Sequence, residues 1–202
     1  MPRVISNAIH LFPFDELNIY IRRIKDFGRS DWVRYLMWIG TVSSLFFGVS
    51  SFVLFGAVNG VDWPGYVWFI PAGAGLFTLA LAIDDIGHRT VYKQYLIKGE
   101  GHVHQMIVAT AVPSVIALCL CYEHAETFQM VALGLISLSF FYSAIDEGMH
   151  WYRYICHEFD RIEMWSHFFA ITGHVVMILC WWQWFKAGYP GVSETLEYLP
   201  WK

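Results

Sequence analysis

Apolar residues along this chain fall into five long runs, at about 35–58, 67–83, 104–122, 128–145 and 165–185, divided by short polar stretches. One α-helix needs about 20 mostly apolar residues to cross the hydrocarbon core of a bilayer. The pattern therefore predicts an all-α integral membrane protein, a bundle of about five transmembrane helices forming one membrane domain over 1–202. The second and fourth runs are short, and each can continue as helix past the polar cluster that follows it, to Tyr95 and to about Cys156. The connections 59–66 ("NGVDWPGY") and 123–127 ("EHAET") are short and polar, as helical hairpins require. Ahead of the runs, 14–28 reads as an amphipathic helix. Asp15 can cap it, Leu17, Ile21, Ile24 and Phe27 share a face, and Arg22, Arg23 and Lys25 lie mainly off that face. Such a helix is expected to lie in the membrane interface. No basic segment followed by a short apolar core opens the chain, so no cleaved signal peptide is expected.

Composition agrees with the pattern. Charged residues make up 15% of the chain, well below the roughly 25% of soluble domains. The charges are also unevenly placed. Arg3, Arg22, Arg23, Lys25, Arg29, Arg34, Arg89, Lys93, Lys98, Arg153 and Arg161 fall on one side of the five-helix arrangement, with only Lys186 and Lys202 on the other. The positive-inside rule then puts the N-terminus in the cytoplasm and the C-terminus on the opposite side. Trp181, Trp182 and Trp184 end the last run, as an interfacial aromatic belt would. No basic stripe is present, which excludes nucleic acid as a partner. Cys119, Cys121, Cys156 and Cys180 lack metal-motif spacing and read as apolar packing residues.

Histidine does not contribute to the positive-inside signal, yet eight of the nine histidines fall toward the same side; only His124 does not. Two of them belong to a repeated phrase. "AIDDIGH" at 82–88 and "AIDEGMH" at 144–150 align as A-I-D-[D/E]-x-x-H-x-x-x-Y, pairing Asp84 with Asp146, Asp85 with Glu147, His88 with His150 and Tyr92 with Tyr154. Each phrase is followed by a loop and by a run that opens with a histidine, His104 or His167, as in a weak internal duplication. Residues three and four apart share a helix face, so both acids of each phrase neighbour its histidine. His157 extends the second stripe, and the last run adds Glu163, His167 and His174, the last about 10 Å deeper than His167. Acids at a helix C-terminus oppose the macrodipole, and ionisable groups inside a bundle are costly. Both clusters therefore call for positive charge, from Arg89 and Arg153 as ion pairs or from a divalent metal.

The D-x-x-H (85–88) and E-x-x-H (147–150) spacings resemble the paired E-x-x-H motifs of ferritin-like di-iron bundles, with Glu163 as an added carboxylate. The third run offers His104 where that pattern has an acid. The histidine-rich set also resembles the cytoplasm-facing di-iron sites of membrane desaturases and hydroxylases, although no two histidines lie three or four apart as in their H-x-x-x-H and H-x-x-H-H boxes. Asp84-x3-His88-x13-His102 is similar to the D-x3-H-x12-H copper pattern of the C subunit of copper membrane monooxygenases, over about twenty residues and with one residue too many. Membrane zinc hydrolases of the alkaline ceramidase and adiponectin-receptor type share only the use of Asp and His near a membrane face. Only His174 lies well inside a run, so paired haem histidines are not expected.

These features favour a membrane-embedded metalloprotein with an Asp/Glu/His site near the cytoplasmic face. The metal expected is a pair of iron ions, zinc and copper being the other choices, and the activity an oxidoreductase of the oxygenase, hydroxylase or desaturase type acting on a lipid-soluble substrate. Asp85, His88, Glu147, His150 and His167 are the first ligand candidates. Asp84, His104, Asp146, His157, Glu163 and His174 are further ligands or groups that fix imidazole tautomers. Tyr92 and Tyr154 are placed to bond a ligand or to sit in the interface. An electron-donor protein is implied, since the chain has no flavin, haem or iron–sulfur signature. Two other expectations stand beside this one. The first is a non-catalytic helical subunit of a larger membrane complex, packed through small residues such as "PAGAG" (71–75), with the clusters as ion-pair networks or a proton path. The second is a zinc-dependent membrane hydrolase.

Overall fold

The apolar runs fold as long helices. The computed structural model describes residues 13–91, 99–157 and 161–199. Helix α1 (Pro13–Ile21) continues into a 3-10 segment (Arg22–Asp26). Helix α2 (Arg29–Val58) leads through a second 3-10 turn (Gly65–Trp68) to α3 (Phe69–Arg89). Then come α4 (Glu100–His157), α5 (Arg161–Lys186) and the short α6 (Val192–Glu197). Four of the helical stretches among the described residues are long and apolar enough to cross a membrane: Arg29–Val58, Gly65–Arg89, Glu100–Cys156 and Arg161–Lys186.

The third of these is two helices in one. Glu100 and Arg153 would be about 80 Å apart on a straight α-helix, yet they form an ion pair at 2.9 Å. The chain turns back at His124, whose φ of −129° and ψ of 49° leave the helical region. Arm 100–123 and arm 125–157 therefore lie antiparallel, joined with almost no loop. The sequence expected a polar connection at 123–127; here the helices run to within one residue of the reversal. The second arm continues through Cys156, as expected. Helix α3 stops at Arg89, capped at Thr90, and 92–98 lie outside the described residues.

At the opposite end, α2 and α5 close in the same way. Gly60 and Gly188 adopt positive φ just past each helix. The next residue then donates back, Val61 N–H to Gly56 O at 3.0 Å and Tyr189 N–H to Trp184 O at 2.9 Å. Glycine takes this left-handed position without a Cβ penalty, and the bonds satisfy carbonyls a helix end would otherwise strand. The two reversals bring Trp63, Trp184 and Tyr189 together. Trp63 Nε1–H donates to Val53 O at 2.9 Å, Trp184 Nε1–H to Pro190 O at 3.0 Å, and the Tyr189 hydroxyl to Leu118 O. Ring centroids 5.7 Å (Trp63–Trp184) and 5.1 Å (Trp184–Tyr189) apart make an aromatic plug.

Small residues set the helix spacing. A Cβ on Gly73 would lie 2.7 Å from Gly173 O, and one on Gly173 would lie 2.6 Å from Phe77 N, so α3 and α5 touch backbone to backbone. Gly75, two residues on and hence on the other side of α3, admits the Phe46 ring of α2. Helices in lipid gain little from burying apolar surface and associate through such close packing. The "PAGAG" stretch thus wedges α3 between α2 and α5. At the other end Tyr20 and Phe27 pack with Ile86 and Ile162, docking the N-terminal helix, and Glu16 pairs with Arg161. Asp15 sits in the first turn of α1, which begins at Pro13, and is not its cap.

The α3–α5 contact has no spare room. Gly173→Val should lower the thermal unfolding midpoint in detergent by several degrees, an overpacking cost of about 1–3 kcal/mol. Gly134→Val, which meets nothing within 4 Å, should leave the midpoint nearly unchanged.

Candidate metal centre

Four helix segments converge at the end of the bundle remote from the plug, and each brings the same pair of residues. Helix α3 carries Asp84 and His88, and the first arm of α4 carries Glu100 and His104. The second arm carries Asp146 and His150, and α5 carries Glu163 and His167. In every case the acid precedes the histidine by four residues, which puts both on one helix face about one turn apart. All eight are buried except His88 and His104, which are half-buried.

The contacts run both within and between helices. His88 Nε2 lies 3.1 Å from Asp84 Oδ2 and His88 Nδ1 3.5 Å from Glu100 Oε1. His104 Nε2 meets Asp146 Oδ1 at 2.9 Å, and His167 Nε2 meets Asp84 Oδ1 at 3.2 Å. His150 Nε2 stands 3.6 Å from Asp146 Oδ1 and 3.7 Å from Glu100 Oε1. His167 Nδ1 stands 3.9 Å from Asp146 Oδ2. Three sets of donor atoms each lie within 4.8 Å of one another: His88, Glu100, His104 and His150; Asp84, His88 and His167; Asp146, His150 and His167.

Separations of 3.5–3.9 Å are too long for good hydrogen bonds. They are close to the ligand–ligand spacing of about 3.0–3.4 Å around a metal bonded at roughly 2.0–2.2 Å. Among the described residues, Asp84 Oδ1, Asp146 Oδ1, Glu147 Oε2, His150 Nε2 and His167 Nε2 are buried and engage no partner in hydrogen-bonding geometry. A buried polar atom left this way is costly, and metal coordination is one of the few things that satisfies several at once. The donor set, imidazole with carboxylate, suits iron, zinc or manganese.

Behind these donors sits a buried cation. Arg153 donates from Nη1 to Glu100 Oε2 at 2.9 Å and from Nη2 to Glu100 Oε1 at 3.0 Å and Glu163 Oε1 at 2.7 Å. Glu163 Oε1 also lies 2.6 Å from His150 Nδ1, and Arg153 Nη2 lies 2.8 Å from the same nitrogen. The carboxylate and the guanidinium hold that side of the ring between them, and Nε2 is turned toward Glu100 and Asp146. Among the described residues, Asp84, Glu100, Asp146 and Glu163 against Arg153 leave three negative charges unbalanced in the cluster, before any protonation of the histidines.

Other sequence-derived candidates are placed differently. Asp85 faces away from the converging donors and forms a two-bond pair with Arg89, at 2.7 and 2.9 Å. Glu147 lies at the edge, its Oε2 3.5 Å from His167 Nδ1, outside the three converging sets. Residues three and four before a histidine both share its face, and the helix rotation set by neighbouring contacts selects the fourth. Glu163 holds His150 and Arg153 and stands behind the ring. His174 packs between Phe77 and Phe140, with ring centroids 5.3 and 4.6 Å away, deeper in the bundle and apart from the converging sets. The side chain of His157 and all of Tyr92 lie outside the described residues, and Tyr154 packs edge-on against Trp151. Glu100 was missed by the sequence reading, although its place four residues before His104 mirrors Glu163 and His167. It fills the acid position that the third run had lacked.

The chain matches no protein-family model, no curated protein and no solved structure.

Removing Arg153 strands two buried carboxylates. Arg153→Met should destabilise the protein by about 3–5 kcal/mol, seen as a large fall in unfolding midpoint. Arg89→Met, releasing one less buried acid, should cause a clearly smaller fall.

Proposed function

We propose that this protein is an integral membrane oxidoreductase whose Asp/Glu/His centre holds two iron ions and acts on a lipid-soluble substrate. The chain crosses the bilayer five times, the two arms of α4 counting separately, with the N-terminal helix in the cytoplasmic interface and the C-terminus on the far side. The observation that carries this reading is the convergence of four acid–histidine pairs, one from each of four helix segments, onto buried atoms that lack hydrogen bonds. Ionisable groups at that density inside a membrane bundle are expensive to keep and are characteristic of function.

Asp84, His88, Glu100, His104, Asp146, His150 and His167 would hold the ions. Bound iron supplies oxidising chemistry, and the protein's own part is to bind, orient and shield. Glu163 would hold the His150 ring from behind, and Arg153 would hold Glu100 and Glu163 in place. The aromatic plug fills the opposite end with buried rings whose polar atoms donate to backbone carbonyls. The exposed edge of the centre is formed by the side chains of His104 (30% exposed) and Glu147 (24%). Met106 and Ile145, close beside them in the chain, are also exposed. An apolar border of this kind favours a substrate arriving from the lipid, with electrons delivered by a separate donor protein.

A second reading has its own support. The Arg153–Glu100–Glu163 and Arg89–Asp85 ion pairs show that part of the charge is balanced within the chain, as in a non-catalytic subunit of a larger membrane complex.

Metal analysis of protein purified in detergent without chelators separates these readings. The expected result is about two irons per chain, with loss of most of the metal in Asp84→Asn and His167→Ala variants that remain folded. One zinc per chain would point to hydrolysis instead; absence of stoichiometric metal would leave the ion-pair network and refute the metal centre. For topology, a reporter active only outside the cytoplasm should be active when fused after residue 202 and inactive when fused within the 92–98 segment. The reverse result would overturn the orientation.

A further inference from the structure

The centre is assembled from two copies of one unit. The motif D-x3-H followed by E-x3-H occurs as Asp84, His88, Glu100, His104 and again as Asp146, His150, Glu163, His167. The units are α3 with the first arm of α4, and the second arm of α4 with α5. Equivalent contacts recur across them: His104 with Asp146 at 2.9 Å matches His167 with Asp84 at 3.2 Å. Such a repeat would make two equal cation positions. Arg153 breaks the equality. In the alignment of 82–92 with 144–154, Arg153 stands opposite Val91, so a single guanidinium serves both units from one side.

Its effect is confined to the glutamates. Both oxygens of Glu100 accept from Arg153, as does Oε1 of Glu163. A cation beside Glu100 must share an oxygen with the guanidinium and sit close to its positive charge. The aspartate side is different. Among the described residues no guanidinium meets Asp84 Oδ1 or Asp146 Oδ1; each faces an imidazole, His167 Nε2 at 3.2 Å and His104 Nε2 at 2.9 Å. Arg89, on the same helix as Asp84, is held by Asp85.

We propose that the centre binds its two cations unequally, tightly among Asp84, His88 and His167 and more weakly beside Glu100, His104 and His150, with Arg153 as the positioning residue that sets the difference. This rests on the two-metal reading above. It also assigns the roles of two carboxylates: Asp84 supplies charge to the resident ion, and Glu100 belongs to the ion that exchanges.

The test is a calorimetric titration of metal-stripped, full-length protein in detergent with Mn²⁺. Wild type should bind in two steps whose Kd values differ by at least about tenfold, since like charges this close in a low-dielectric site repel strongly. Glu100→Gln should lose the weak step and keep the tight one, and Asp84→Asn should lose the tight step. Arg153→Lys, which keeps the charge, should keep two steps, whereas Arg153→Gln should narrow the gap between them. Should Arg153→Gln fail to fold, the Glu100 and Asp84 variants still decide the order. Two steps of equal affinity, or loss of the tight step in Glu100→Gln, would overturn this inference and leave the two-metal reading intact. Failure of wild type to bind Mn²⁺ would overturn both.

Discussion

Contact between the backbones of α3 and α5 at Gly73 and Gly173 governs the geometry of everything below it. Two helices that meet through side chains can slide or rotate by an ångström without large penalty; two that meet backbone to backbone cannot. From that crossing the chains run antiparallel for about two turns and arrive with Asp84 and His167 facing each other at 3.2 Å. The opposite face of α3 turns Gly75 toward Phe46, so α2 is placed by a contact two residues away. Helix rotation is thus decided by small residues in the apolar interior, and it is this rotation that sends Asp84 inward and Asp85 toward Arg89.

Around the centre, the same atoms serve packing and charge. Arg153 is among the largest fully buried side chains in the protein, and its fork spans carboxylates from two helices 63 residues apart in sequence. Lysine could supply the charge but not the planar set of donors that engages Glu100 through two bonds while reaching Glu163. The ion pair also holds the α4 hairpin closed, because Glu100 and Arg153 belong to opposite arms. A purely apolar closure would leave the glutamates with nothing to hold their charge near the histidines.

Much of this was legible in the chain. Five apolar runs, the one-sided histidines and the repeated A-I-D phrase all pointed to helices delivering acids and imidazoles to one end. The choice between Asp84 and Asp85 was not legible, because i+3 and i+4 neighbours of a histidine share its face and only the packing of the helix tells them apart. Glu100 was hidden by its position in a polar stretch, where an acid needs no explanation; its spacing from His104 was the available signal. The reversal at His124 takes one residue rather than the expected loop, since a single non-helical φ/ψ pair suffices when both arms are held by contacts elsewhere. His174 looked like part of the stripe because its spacing from His167 is helical, but two turns of depth put it among phenylalanines.

The plug of Trp63, Trp184 and Tyr189 has an electrical consequence. A bundle that gathers carboxylates and imidazoles at one end offers protons a chain of stopping points, and in a membrane under voltage such a chain is a leak if it continues through. Here it meets tryptophans whose N–H groups are already committed to carbonyls, and a tyrosine whose hydroxyl is spent in the same way. On the proposed topology the centre would be a blind well, open to one compartment only, able to exchange protons with that side without short-circuiting the potential across the other.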